Sequence, residues 1–84
     1  MVIVESYGKN IYINDLHVGY IGRNELYIKG KKFADITDEG VISQNGVEVG
    51  YVDDDAYIII RGREVGYIDI NNNFVFDKPS DMKL

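Results

Sequence analysis

One four-residue phrase constrains this chain more than anything else in it. Val65-Gly66-Tyr67-Ile68 recurs as Val49-Gly50-Tyr51-Val52 and as Val18-Gly19-Tyr20-Ile21, with a degenerate copy at Phe33-Ala34-Asp35-Ile36. The copies start at 18, 33, 49 and 65, so the spacing is 15, 16 and 16 residues. Self-similarity at a fixed short period marks a repeat architecture, in which each unit relies on its neighbours for a core. A period of about 16 residues leaves room for two short strands and their turns, and for no more.

The units read accordingly. Asn10-Ile11-Tyr12-Ile13 and Leu16 to Ile21 flank the turn Asn14-Asp15. Leu26-Tyr27-Ile28 and Lys32 to Ile36 flank Lys29-Gly30-Lys31. Val41-Ile42-Ser43 and Val47 to Val52 flank Gln44-Asn45-Gly46, and Tyr57 to Ile60 and Glu64 to Ile68 flank Arg61-Gly62-Arg63. β-Branched and aromatic runs bounded by turn formers predict hairpins. Asn45-Gly46 is the strongest such turn, because both residues accept positive φ. The linkers Gly22-Arg23-Asn24, Thr37 to Gly40, Asp53-Asp54-Asp55 and Asn71-Asn72-Asn73 are polar and turn-prone. No segment carries a sustained 3.6-residue apolar period, so the expected class is all-β with no helix.

Phe74-Val75-Phe76 looks like the first strand of a fifth unit. Sixteen residues before Val18 lies Val2, so Val2-Ile3-Val4 is the expected partner of 74–76. That pairing of N- and C-terminal strands would close the array into a flower or pinwheel and hide both edges. The alternative is an open single-layer β-meander. Residues 1–76 read as one domain and 77–84, with the only proline, as a flexible tail. Strict alternation along a strand puts Val18 with Tyr20 on one face and Gly19 with Ile21 on the other. Glycine inside a strand costs roughly 0.5–1 kcal/mol against alanine. Its regular recurrence predicts a crowded place where another backbone or ring comes close.

The pattern of apolar strand, Asn/Gly-rich turn and Val-Gly-Tyr-Ile/Val resembles the small bacterial repeat proteins described as four-fold β-flowers. The resemblance covers residues 10 to about 76. It implies a closed hairpin array, a bacterial setting and nothing catalytic. Unit two departs from it, with Phe33-Ala34-Asp35-Ile36 in place of the phrase.

Chemistry is sparse. His17 is the only histidine, and Ser6, Ser43 and Ser80 lie outside any Gly-x-Ser-x-Gly context. His17 occupies the unit position held elsewhere by Lys32, Glu48 and Glu64, which reads as solvent-facing. Asp53-Asp54-Asp55 has the oxygens that calcium or magnesium wants, yet it is also what a polar turn looks like. Asp69-Ile70-Asn71-Asn72-Asn73 starts like a calcium loop, but Phe74 stands where the loop needs glycine and Ser80 where it needs glutamate. Asp35 replaces a tyrosine on an apolar face, so that face is exposed at unit two or Asp35 has a partner such as a tyrosine hydroxyl or Lys29. No cofactor is expected.

The net charge of −5 would repel nucleic acid and anionic lipid, and no run approaches the ~20 apolar residues of a membrane-spanning helix. There is no cysteine, which excludes disulfides and thiolate metal sites. Met1 to Glu5 has no basic n-region, so a cytoplasmic location is the expectation. Basic hairpin tips (Lys29, Lys31, Lys32, Arg61, Arg63) face away from acidic junctions, which suggests head-to-tail attraction between copies.

These features favour a small non-enzymatic β-repeat scaffold that binds a protein partner or itself through Tyr20, Tyr51 and Tyr67, with Tyr12, Tyr27 or Tyr57 beside them. An alternative is a small-molecule, carbohydrate or metal-ion site at the acidic junctions or the tyrosine face, or an enzyme built at Asp35 or His17. A third is an acidic partner of a basic protein.

Overall fold

A computed structural model describes residues 8–78 of the chain. Nine strands follow one another: β1 (Asn10–Ile13), β2 (Leu16–Gly22), β3 (Glu25–Ile28), β4 (Lys31–Ile36), β5 (Val41–Gln44), β6 (Val47–Val52), β7 (Tyr57–Ile60), β8 (Arg63–Ile68) and β9 (Phe74–Phe76). Each pairs with its neighbour in chain order, and β9 returns to β1, so the sheet is a closed barrel. No helix occurs among the described residues. The all-β, closed, hairpin-built class expected from the repeat is the one observed.

Closure differs in its partner. Val2-Ile3-Val4 lies outside the described residues. Both edges of β9 are already taken, by β8 antiparallel and by β1 parallel, with Ile11, Tyr12 and Ile13 opposite Phe74, Val75 and Phe76. The first hairpin itself supplies the closing edge. A half-unit can meet β1 only in the parallel sense, because β9 runs from the junction end to the tip end as β1 does.

The repeated phrase is the signature of a β-bulge. In every hairpin the register slips at its first residue. Ile11 faces Gly19 while Tyr12 faces His17, which leaves Val18 extra, and the same slip leaves out Phe33, Val49 and Val65. A bulge bends its strand and raises the local twist, which helps a narrow sheet close. It also breaks strict alternation. The expectation that Val18 and Tyr20 share a face fails for this reason. Val18, Phe33 and Val49 turn towards the core and Val65 is wholly buried, while Tyr20, Tyr51 and Tyr67 stay outside.

The glycine after the bulge makes room for the next strand. A Cβ at Gly19, Gly50 or Gly66 would strike the carbonyl oxygen of Tyr27, Ile59 or Val75 respectively. The expected close approach is therefore between neighbouring backbones.

A second 16-residue rhythm lies in the junctions. Asn24, Gly40, Ala56 and Asn72 all have positive φ, at 61°, 87°, 66° and 66°. The carbonyls of the first three accept the amides of Ile36, Val52 and Ile68 at 2.8–2.9 Å. Each unit thus starts from one left-handed residue, tied to the end of its own second strand. The interior is filled by inward residues of all strands, with Ile11, Leu26, Ile42, Ile58, Ile60, Val65, Phe74 and Phe76 wholly buried.

Candidate functional site

Inward positions are spent on this core, so the outer wall is where chemistry can occur. Tyr20, Tyr51, Tyr57 and Tyr67 are 51%, 46%, 42% and 40% exposed. The register sorts them. Tyr20 stacks on Tyr27, with centroids 4.9 Å apart and planes 14° off parallel. Tyr51 sits between Val41 and Ile59, and Tyr67 between Tyr57 and Val75. Val75 in turn faces Tyr12 on β1. The outward side of β6–β8 therefore carries an apolar patch of Tyr51, Tyr57, Ile59 and Tyr67, with the exposed Glu64 opposite Ile59 at its edge. Beyond Tyr67 the wall dips into a shallow groove of about 250 Å³, lined by Tyr12, Asn14, Asp15, Tyr67, Asp69 and Val75.

The tyrosine girdle is broken at unit two, as the sequence implied. Asp35 is 41% exposed in its side chain, and its partner is Lys32, at 2.7 Å, in place of Lys29 or a tyrosine hydroxyl. Lys32 also lies 3.4 Å from Glu25. The hydrogen bond to Asp35, reinforced by Glu25, holds the Lys32 ammonium above its ordinary pKa. The Tyr27 hydroxyl donates to Glu25 at 2.8 Å. That bond to a carboxylate, with some desolvation, raises the Tyr27 phenol.

Ala34 opens a second cleft beside this cluster. In units one, three and four the bulge carbonyls of Val18, Val49 and Val65 accept backbone amides of Lys29, Arg61 and Asp77 at 2.8–2.9 Å. In unit two the equivalent bond from Asn45 to Phe33 is not made. The Gln44 side chain donates to the Phe33 carbonyl at 2.9 Å, and Arg61 reaches Gln44 Oε1 at 3.2 Å. The β4–β5 ladder keeps only the pairs Asp35–Ser43 and Ile36–Ile42. The space left is a cleft of about 330 Å³ lined by Lys32, Phe33, Ala34, Asp35, Gln44 and Asn45.

The acidic junctions have structural work. Asp53 Oδ1 accepts the amides of Asp55 and Tyr57, and Asp69 Oδ1 those of Asn71 and Asn73, all at 2.9 Å. Asp53, Asp54 and Asp55 adjoin in sequence without converging. Among the described residues no group of three or more His, Cys, Asp or Glu side chains is placed to hold a metal ion. His17 is exposed, as its unit position implied, with its ring 5.5 Å from Tyr12. No helix among the described residues is long and apolar enough to cross a membrane.

Sequence reasoning named Tyr67 and Asp35 but missed the groove that Tyr67 borders. Tyr12 and Val75 meet only through the parallel β1–β9 register, which repeat spacing does not encode. Gln44 was read as turn, although the alanine at 34 signalled that the next strand could not close in the usual way. No family model, no curated protein and no solved structure matches this chain.

Proposed function

We propose that this chain is a non-enzymatic β-repeat scaffold of the β-flower type that works by binding, and that its partner is a second copy of itself. The observation that carries this reading is the outward apolar face of Tyr51, Tyr57, Ile59 and Tyr67 on β6–β8. A barrel whose strands run only from Asn10 to Phe76 buries a small core and gains by covering such a face. Charge supplies the orientation. Asp38, Glu39, Asp53, Asp54, Asp55 and Asp69 lie at the junction end, and Lys29, Lys31, Arg61 and Arg63 at the tips. Two barrels laid side by side and antiparallel on this face bring the Arg61 and Arg63 tip against the partner's acidic junction end. That is a two-fold arrangement in which the same face serves both copies. A cytoplasmic location and a bacterial origin belong to the same reading; the second rests on the resemblance.

Sedimentation at micromolar concentration tests it. The expected species is a dimer that weakens with added salt. The double variant Tyr51→Ser with Tyr57→Ser should run as a folded monomer. A strictly monomeric wild-type chain, or a dimer indifferent to both substitutions, overturns the proposal.

A further inference from the structure

Asn45-Gly46 is the only Asn-Gly step in the chain. It forms the β5–β6 tip, with φ of 53° at Asn45 and 81° at Gly46. Two left-handed residues in a row are what a two-residue hairpin turn asks for. The same pair also carries a reaction. The backbone nitrogen after an asparagine can attack that asparagine's side-chain carbonyl carbon, and a glycine nitrogen is the least hindered. Both residues are exposed, and the space beside Gly46 is open. The turn itself is the obstacle. Ring closure eclipses Cβ and the next nitrogen about the Cα–C bond, and the left-handed conformation holds those two atoms apart. The reaction therefore needs the tip to open.

The other three tips are pinned against opening. Asn14, Lys29 and Arg61 hold the same left-handed place, at φ of 53° to 55°. Their amides donate to the carbonyls of Phe76, Val18 and Val49 at 2.8 Å. At the β5–β6 tip the corresponding acceptor is the Phe33 carbonyl, and the Gln44 side chain takes it at 2.9 Å. The β4–β5 ladder stops at Asp35–Ser43, and Asn45 itself lines the cleft left beyond it. Local opening here breaks one backbone bond fewer than at the other tips, which lowers its free energy.

The remaining left-handed asparagines are poorer in both respects. Asn14, Asn24 and Asn72 precede Asp15, Glu25 and Asn73. The Asn14 amide is the one held by Phe76, the Asn24 side chain donates to the Ile36 carbonyl at 2.8 Å, and the Asn72 amide donates to the Asp69 carbonyl at 3.0 Å.

We propose that Asn45 is a site of spontaneous deamidation in the folded chain, reached by local opening of this unpinned tip. The Gly46 nitrogen gives its proton to solvent base and bonds to Asn45 Cγ. The Cγ–Nδ2 bond breaks, and Nδ2 takes a proton and leaves as ammonia. Water then opens the succinimide at either carbonyl, leaving aspartate or isoaspartate at position 45. Both products add a negative charge beside Gln44, whose Oε1 meets Arg61 at 3.2 Å. Isoaspartate also lengthens the backbone within the turn.

The test is to incubate the folded full chain at mildly alkaline pH and map its peptides by mass, with isoaspartyl methyltransferase labelling the isoaspartate. The expected result is ammonia release and a mass gain of about one dalton confined to the Asn45 peptide, with Asn14, Asn24 and Asn72 intact. Ala34→Gly, which restores the residue found in the other units, should let the Asn45 amide dock. It should slow the reaction by about two- to tenfold, the weight of one net hydrogen bond on the opening step. Urea below the unfolding transition separates local from global opening. A rate that stays flat there supports the proposal, and one that climbs with the unfolded population overturns it. An unchanged rate in Ala34→Gly overturns it, as does equal conversion at Asn14 or Asn72. So does an intact Asn45 after a free peptide of the same tip sequence has fully converted.

Discussion

Gln44 reaches back across the β4–β5 seam and donates to the Phe33 carbonyl at 2.9 Å, a bond that a backbone amide makes in the other three units. The cause lies one residue along. Ala34 carries the methyl group that Gly19, Gly50 and Gly66 lack, and in those units the space belongs to the next strand's carbonyl. The seam is held apart by one methyl and bridged by one side chain. Truncating Gln44→Ala should cost about 0.5–1.5 kcal/mol, the usual net worth of a part-buried hydrogen bond. Ala34→Gly should let the tip dock and slow hydrogen exchange at the Asn45 amide. In that background Gln44→Ala should cost less. Two chemical denaturation series and one exchange experiment measure the coupling. Independent, additive effects would show that Ala34 does not set the seam.

The same geometry run in reverse gives a harsher result. Gly50→Ala places a Cβ against the Ile59 carbonyl, and Gly66→Ala one against the Val75 carbonyl. Backbone cannot rotate away as a side chain can, so each should destabilise by at least about 2 kcal/mol through overpacking. Gly46→Ala probes a different cause, since its added Cβ meets open space and only its φ of +81° is unfavourable. Thermal melts of the three variants would rank Gly46→Ala as the mildest. A similar loss at all three sites would point to unfolded-state entropy rather than strand contact.

Much of this fold is written in the repeat. Four copies of the phrase, with Gly or Ala in second place, predicted hairpins, crowding and closure. Strand alternation misread Val18, Val49 and Val65, because a bulge turns two successive residues inward and period-2 counting has no term for it. Val75 and Tyr12 are 63 positions apart and meet only across the closing seam, so no local pattern announces the groove. Asp35 was legible as an exposed exception. Its partner Lys32 was obscured because the bulge at Phe33 brings a residue three positions away onto the same side.

Ala56 offers a stabilising change. Its φ of +66° occupies the place in the unit where Gly40 stands at +87° and Asn24 and Asn72 stand at 61° and 66°. A left-handed conformation costs an L-residue with a Cβ about 1–2 kcal/mol. Glycine removes that strain and returns roughly 0.5–1 kcal/mol to unfolded-state freedom. Ala56→Gly should therefore raise stability by up to about 1 kcal/mol, read as an increase in the denaturation midpoint with an unchanged slope. A fall in the midpoint would mean that the Ala56 methyl contributes packing that outweighs the relief.

Alkaline pH should weaken the Lys32 and Tyr27 contacts on unit two. Lys32 is raised above its ordinary 10.5 by Asp35 and Glu25, and Tyr27 above its ordinary 10.0 by Glu25. In both cases the folded chain holds its proton to higher pH than the unfolded chain does. Above about pH 10 the unfolded state binds fewer protons than the native state, so the stability slope with pH is negative. The contribution is fully present below the unfolded pKa values and is lost as pH rises through the folded ones. These two groups thus leave stability flat from pH 7 to about 9 and lower it beyond about 10. Because both are solvent-accessible and such surface pairs are worth little, the informative readout is site-specific. In an ultraviolet phenolate titration, Tyr27→Phe should remove a late-ionising component, and Glu25→Gln should bring that component back towards ordinary tyrosine. A Tyr27→Phe titration that loses an early component instead would contradict the Glu25 hydrogen bond as the cause.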